Sequence, residues 1–318
     1  MISKINAALD ALKYPKQPRG LYEPIKYALE EGGKRVRPRL LLLAYSLYSD
    51  DIERAMPAAI GIETYHNFTL LHDDVMDNAE MRRGRPTVHV KWDQNTAILS
   101  GDVMLMLALR YVSECRCKRW AELRDVFIQS CIEVGEGQQY DMNFEKRDEV
   151  AVDEYLEMIR LKTSVLVACA AKMGAIAANA PEEDCELIYA FAERIGIAFQ
   201  LQDDYLDVYG DPAVFGKKIG GDILCGKKTY LLISALNRGD EGQRMQLLSL
   251  INDKNIGSED KIKAVTDIYN AIGIPEICKN AIEAYYDDAR NLYETLPLPE
   301  NKKAPLWAWA SELMERKK

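Results

Sequence analysis

Six aspartates stand in two copies of one pattern. Asp73, Asp74 and Asp77 form D-D-x-x-D, and Asp203, Asp204 and Asp207 repeat it. On a helix, residues four apart share a face, so Asp73 stacks with Asp77 and Asp203 with Asp207. Like charges so placed destabilise an isolated helix by roughly a few tenths of a kcal/mol. Each motif is also framed by apolar residues: Leu70 and Leu71 before the first, Leu201 and Leu206 around the second. Crowded carboxylates beside a buried face are costly unless a cation neutralises them. Magnesium fits that need, because it takes oxygen ligands, keeps several waters and binds through a few carboxylates plus substrate phosphates. Two such motifs could hold a small metal cluster with a diphosphate between them. One motif alone would read as a solvated acidic helix face; the repeat argues for metal.

Basic residues gather around these motifs although the chain carries a net charge of -9. Gly32-Gly33-Lys34-Arg35-Val36-Arg37-Pro38 is a glycine-broken basic loop ahead of a helix. Arg82-Arg83-Gly84-Arg85-Pro86-Thr87 follows the first acidic motif, and Lys217, Lys218, Lys227 and Lys228 surround Gly220-Gly221 after the second. Arginine forks suit phosphate oxygens, and lysine adds point charge. Any one cluster reads equally well as mixed-charge surface; three that bracket two acidic motifs imply a site for metal and diphosphate. His66 lies seven residues before Asp73, so on a continuous helix both project to nearly the same side. His72 reads as support for the helix.

The elements that must position these residues are helices. The 318 residues are 48% hydrophobic and 29% charged, enough apolar material for a sizeable core. Apolar residues recur at helical spacing, with long helices expected over about 55–77, 95–115, 121–144, 153–178, 182–208, 226–237, 259–272, 276–296 and 305–315. Breakers such as Gly32-Gly33, Pro86, Pro181 and Asp211-Pro212 fall between them. No stretch alternates as a strand, and no linker divides the chain, so a single all-α domain over 1–318 is expected. The run from Val165 to Ala178 is rich in alanine and should be buried on most sides, within a ring of antiparallel helices around a central helix or cavity.

The acidic balance disfavours nucleic-acid binding. The 7 cysteines are scattered and odd in number, which argues for free thiols in a reducing compartment. Cys115-Arg116-Cys117 lacks a second pair at zinc spacing. The two most apolar stretches, Leu40–Tyr45 and Val165–Ala180, fall short of the ~20 residues of a membrane span, and the N-terminus lacks a signal-peptide core. A cytoplasmic protein without membrane insertion is expected.

Together these residues resemble the trans-isoprenyl (polyprenyl) diphosphate synthase family. The resemblance runs from G-G-K-R-V-R-P at Gly32 through L-L-H-D-D-V-M-D ending at Asp77, R-R-G-R-P-T from Arg82 and F-Q-L-Q-D-D-Y-L-D ending at Asp207, to G-K-K-T from Gly226. It implies an isoprenoid-synthase helical bundle around a central cavity, a homodimer, and three magnesium ions. Asp73, Asp77 and Asp203 would be the main metal ligands, with Asp74, Asp204 and Asp207 supporting them or binding through water. Arg82, Lys162, Lys227 and Lys217 would clamp the allylic diphosphate, with Lys218 the competitor of Lys217. Gly33, Lys34, Arg37, His66 and Arg83 would hold isopentenyl diphosphate, with Phe199 against its hydrocarbon part. Thr163 and Gln200 would turn oxygens toward a developing carbocation, and Gln138 and Asp141 would support the site from behind.

The implied reaction is a head-to-tail condensation of isopentenyl diphosphate with dimethylallyl, geranyl or farnesyl diphosphate. Cations stabilise the departing diphosphate, the double bond attacks the allylic cation, and the proton lost can go to the diphosphate. An apolar cavity keeps water from the cation. A helix rises ~5.4 Å per turn, roughly one isoprene unit, so bulky residues one or two turns before Asp73 can act as a floor. Phe68 stands five residues upstream, Tyr65 eight and the small Thr69 four; in the resembling family an aromatic at the Phe68 position marks short products, here farnesyl or geranylgeranyl diphosphate. Plain core packing is the other reading of Phe68 and Tyr65. Class I terpene cyclases share the first motif but not the second or the Lys34/Arg37 loop. A non-catalytic partner subunit would have degraded motifs, and a helical scaffold would leave the charged residues without purpose.

Overall fold

A computed structural model describes residues 1–30, 32–211, 219–253 and 255–315. Its described residues are mostly α-helical. The helices are α1 (Ile2–Asp10), α2 (Arg19–Glu30), α3 (Val36–Ser46), α4 (Met56–Met76), α5 (Val88–Lys91), α6 (Gln94–Ser113), α7 (Trp120–Phe144), α8 (Val152–Ile159), α9 (Val165–Ala177) and α10 (Glu182–Tyr209). They continue as α11 (Gly221–Cys225), α12 (Tyr230–Arg238), α13 (Glu241–Asn252), α14 (Ser258–Ile272), α15 (Ile274–Thr295) and α16 (Glu300–Met314). The periodic runs all became helices. Helices α1, α2, α3, α5, α11 and α13 lie outside those runs, and Gly226–Thr229 is not helical, because Gly226 adopts a left-handed φ of 66° that ends α11. The only strands among the described residues are the two-residue arms of a hairpin, Met81–Arg82 and Arg85–Pro86.

The chain divides into two compact units: residues 1–129, 169–188 and 298–303, and residues 130–168, 189–297 and 304–318. In the first unit, α4 is the central element. Its Ala58, Ala59, Ile62 and Thr64 have no exposed surface, and α6 packs along it. Gly61 permits that approach, because a Cβ there would drive into Val112 and the Ala108 carbonyl. Gly174 of α9 does the same against the Leu41 carbonyl of α3. As the alanine-rich sequence implies, α9 is buried except at Lys172 and Ala177.

By length and composition, α6 is the one helix among the described residues that could cross a membrane, although two other stretches looked more apolar. It buries Ala97, Gly101, Met104 and Ala108 on one side and exposes Leu99 and Met106, at 57% and 58%, on another.

The second unit is built around Tyr155, Leu201, Leu231, Val265, Tyr269, Ile274 and Cys278, from α8, α10, α12, α14 and α15. Between α8 and α9 the chain makes one π-helical turn, Arg160–Ser164. Two glycines crowd it: a Cβ on Gly137 of α7 would overlap the Lys162 backbone, and one on Gly196 of α10 would overlap Ser164. The helix is thus widened at a point where two neighbouring helices approach it closely. Periodicity predicted one unbroken helix over 153–178, and the π turn is where that reading departs from the fold.

Candidate active site

The first unit assembles the basic loop against α4. Arg35 sits in the left-handed region at φ 48° and turns its guanidinium inward, not toward solvent. Its Nη1 donates to Glu63 Oε1 at 2.6 Å, Nη2 to the Leu29 carbonyl at 3.0 Å and Nε to Asn6 Oδ1 at 3.0 Å. Both partners of the ion pair are almost fully buried. Arg35 thus fixes the loop and leaves Lys34 exposed beside it.

Arg37 Nη1 lies 3.2 Å from His66 Nε2. A guanidinium only donates, so this nitrogen accepts and the proton sits on Nδ1. Burial foremost, then the charges of Arg37, Arg83, Arg82 and Arg35, holds the His66 pKa well below 6.5. Burial also draws Arg37 down to about 10, which still leaves it charged at neutral pH, and its Nε is buried without a hydrogen-bond partner among the described residues.

Because folding lowers the His66 pKa, the unfolded chain binds this proton more readily. Stability from this group should therefore fall as pH drops from 6.5. Histidine NMR should find its titration midpoint below 6.5; a midpoint at or above that value would contradict the assignment.

The R-R-G-R segment forms the hairpin, with Met81 opposite Pro86 and Arg82 opposite Arg85. Its two turn residues, Arg83 and Gly84, both have positive φ, 51° and 76°, the geometry of a two-residue turn that follows strand twist. The hairpin returns Arg82 to the first acidic motif, where its Nε and Nη2 reach Asp74 Oδ1 at 2.8 and 2.7 Å. It also sends Arg83 Nη1 to the Gly32 carbonyl at 2.5 Å. Gly33, at φ 128°, leaves room for that guanidinium: a Cβ would meet it at 3.0 Å. Within the motif, Asp74 is buried, Asp73 partly buried and Asp77 exposed.

Upstream on α4, Phe68 meets His72 edge-on at 4.7 Å and Tyr65 at 5.4 Å, and Tyr65 in turn meets Phe127 at 5.6 Å. His72 Nε2 lies 3.1 Å from the Ile98 carbonyl of α6. Thr69 is tied to its own helix through the His66 carbonyl at 2.9 Å.

The second unit treats its motif the same way. Asp204 is buried and hydrogen-bonded on all sides: from the Tyr155 hydroxyl, from the Tyr230 N–H at 3.1 Å and from Gln200 Nε2 at 3.1 Å. Burial pushes its carboxyl up to about 6, against the charge of Lys227 and the Tyr155 hydrogen bond. Gln200 Oε1 accepts from the Thr163 hydroxyl at 3.2 Å, so Thr163, Gln200, Asp204 and Tyr155 form one chain. Lys162, on the π turn, pairs with Asp141 at 2.5 Å. Asp207 accepts the Asp222 N–H at 3.0 Å at the start of α11, and Lys227 Nζ lies 3.9 Å from Asp222. Phe199 packs against the core of this unit, and Gln138 is partly buried on α7. Lys217 and Lys218 lie outside the described residues, as does the 316–318 terminus.

Three residues outside the expected set support the site: Arg35, Glu63 and Tyr155. The basic character of Arg35 was visible, but its inward direction was not.

Among the described residues, no three carboxylate, thiol or imidazole side chains converge as a ready-made metal cage. Magnesium does not need one, since it binds through one or two carboxylates plus phosphate oxygens and water. Hard oxygen donors in two repeated motifs fit that ion.

Residues 18–269 match the family model described as polyprenyl synthetase. The chain is 42% identical over 266 residues to a short chain isoprenyl diphosphate synthase of Methanocaldococcus jannaschii, covering 83% of this chain and 80% of the relative. It is 42% identical over 239 residues to a geranylgeranyl diphosphate synthase of Methanosarcina mazei, covering 74% of each. A crystal structure of a geranylgeranyl pyrophosphate synthase superposes with a TM-score of 0.93 at 42% identity, over 100% of this chain and 99% of the other.

Proposed function

The chain belongs to the magnesium-dependent polyprenyl synthetase family, and on that premise we propose how its residues divide the work. It is a prenyltransferase that condenses isopentenyl diphosphate head-to-tail with an allylic diphosphate, like the synthases it is similar to. Asp73, Asp77 and Asp203 are the main ligands of three magnesium ions, with Asp74 and Asp207 contributing from behind or through water. What supports this division is the shared asymmetry of the motifs: the middle aspartates, Asp74 and Asp204, are buried on internal partners, and the outer carboxylates are less buried. Bound magnesium would supply positive charge where the leaving diphosphate becomes more anionic.

Arg82, Lys162 and Lys227 bind that diphosphate, joined by Lys217. Their ion pairs with Asp74, Asp141 and Asp222 hold the cations in place beforehand, which lowers the reorganisation needed at reaction. Lys34, Arg37, Arg83 and His66 hold isopentenyl diphosphate, close to the backbone of Gly33, and Phe199 packs against its hydrocarbon part. Neutral His66 serves as an Nδ1–H donor, and the buried Arg37 Nε has a donor to spare. The hydroxyl of Thr163 and the amide of Gln200 turn oxygen dipoles toward the developing cation. The departing proton needs no dedicated histidine base.

The product is farnesyl or geranylgeranyl diphosphate, with the Tyr65–Phe68 pair as floor and Thr69 beside it. Phe68→Ala should lengthen the product by one or more isoprene units, read by chain-length analysis of the dephosphorylated alcohols. An unchanged distribution would leave Phe68 as core packing only. A homodimer that covers Leu99 and Met106 of α6 accounts for that exposed apolar face. The free thiols fit the cytoplasm.

The test is incubation with magnesium, isopentenyl diphosphate and each allylic starter in turn, followed by chain-length analysis. Elongated linear diphosphates are expected. Folded protein that elongates no starter would overturn the reading.

A further inference from the structure

Between α6 and α7, and outside the residues assigned above, stand two sulfurs in an open cavity of about 570 Å³. Cys115 is 3% exposed and its Sγ lies 3.5 Å from the Arg54 carbonyl at the foot of α4. Cys117 is partly exposed, and both sulfurs line the same cavity, two residues apart in the chain. Arg54, Arg116, Lys118, Trp120 and Asn179 also line the cavity. A buried thiol and a more accessible one, in a cavity lined by three cationic side chains, are an arrangement for thiol exchange.

We infer that Cys115 and Cys117 form a redox-active dithiol that reacts with anionic low-molecular-weight disulfides. The Cys117 thiolate attacks one sulfur of the disulfide, forming a mixed disulfide and releasing one thiolate. Cys115 then loses its proton to solvent and attacks the Cys117 sulfur, which closes the Cys115–Cys117 bond and expels the second thiolate. Both cysteines are oxidised, by two electrons in all, and the small disulfide is reduced to two thiols. Residues two apart span at most ~7 Å between Cα atoms, close to the ~4.4–6.8 Å that a disulfide bridges.

The electrostatics assign the roles. The neighbouring Cys115 foremost, then the backbone N–H and charge of Arg119, draws Cys117 down to about 7 against burial and the Glu122 carboxylate. The neighbouring Cys117 and then burial push Cys115 upward. Cys117 is therefore the attacking sulfur and Cys115 the resolving one. An ordinary thiol has a pKa of ~8.5, so Cys117 has roughly fifteen times its thiolate fraction at neutral pH. Reduced nucleophilicity at lower pKa returns part of this, leaving a net advantage of about threefold. The cationic lining adds to it for an anionic disulfide.

The experiment treats the full-length protein with oxidised glutathione at pH 7, quenches by alkylation and maps the modified peptides by mass spectrometry. Cys117 should react at least about threefold faster than the exposed Cys225, and the wild-type product should be the internal disulfide. Cys115→Ser should trap the mixed disulfide on Cys117. Cys117→Ser should show no glutathione on Cys115. The wild-type kinetics need no variant to fold. Equal rates at Cys117 and Cys225, or a wild-type mixed disulfide that never closes internally, would overturn the inference.

Discussion

Asp73→Ala and Asp203→Ala should each lower turnover by about a thousandfold or more while the protein keeps its helical circular dichroism. Charge stabilisation by a bound divalent ion is worth several kcal/mol, and each ~1.4 kcal/mol is a factor of ten in rate. Both positions are only partly buried, so neither removal opens a core cavity. Asp74→Ala and Asp204→Ala would be poorer tests: each strips internal hydrogen bonds and disturbs the fold as well as the site. Steady-state rates at saturating magnesium decide the matter. Wild-type turnover in either variant would remove that aspartate from the metal set.

The largest loss of stability should come from Arg35→Met. It strands the buried Glu63 carboxylate, whose side chain is 3% exposed, and leaves the Leu29 carbonyl and Asn6 without their donor. Breaking a buried ion pair from one side costs about 3–5 kcal/mol, whereas replacing both members by apolar residues is often close to neutral. Urea unfolding should therefore show a large loss for Arg35→Met and a substantial recovery for Arg35→Met with Glu63→Leu. A single variant within about 1 kcal/mol of wild type would mean that the pair does not hold the loop.

These two results divide along what a sequence can disclose. The paired aspartates were legible because their spacing and charge are local facts, and the helices were legible because burial repeats every 3.6 residues. Which aspartate turns inward was not, since that depends on partners distant in the chain: Arg82 on a hairpin for Asp74, Tyr155 on another helix for Asp204. Lys34, Arg35 and Arg37 read alike as bases in one loop, and only the fold separates Arg35, a structural anchor, from its neighbours. The hairpin was hidden because Arg83-Gly84 lacks the Asn-Gly or Asp-Gly signature of such turns. The π turn left no mark in its own residues; the glycines that pack closely against it, Gly137 and Gly196, stand on two other helices.

That turn also shifts the phase of the helix that contains it. Each helical residue advances the wheel by about 100°, and a π turn inserts one more residue than an α turn holds. The core-facing stripe of α8, Tyr155, Met158 and Ile159, therefore does not continue in α-helical frame into α9. Residues 152–177 are two helical reading frames joined at Lys162 and Thr163. A straight helix of the same sequence would bring different side chains to the places these two occupy, so the extra residue selects which pair is presented.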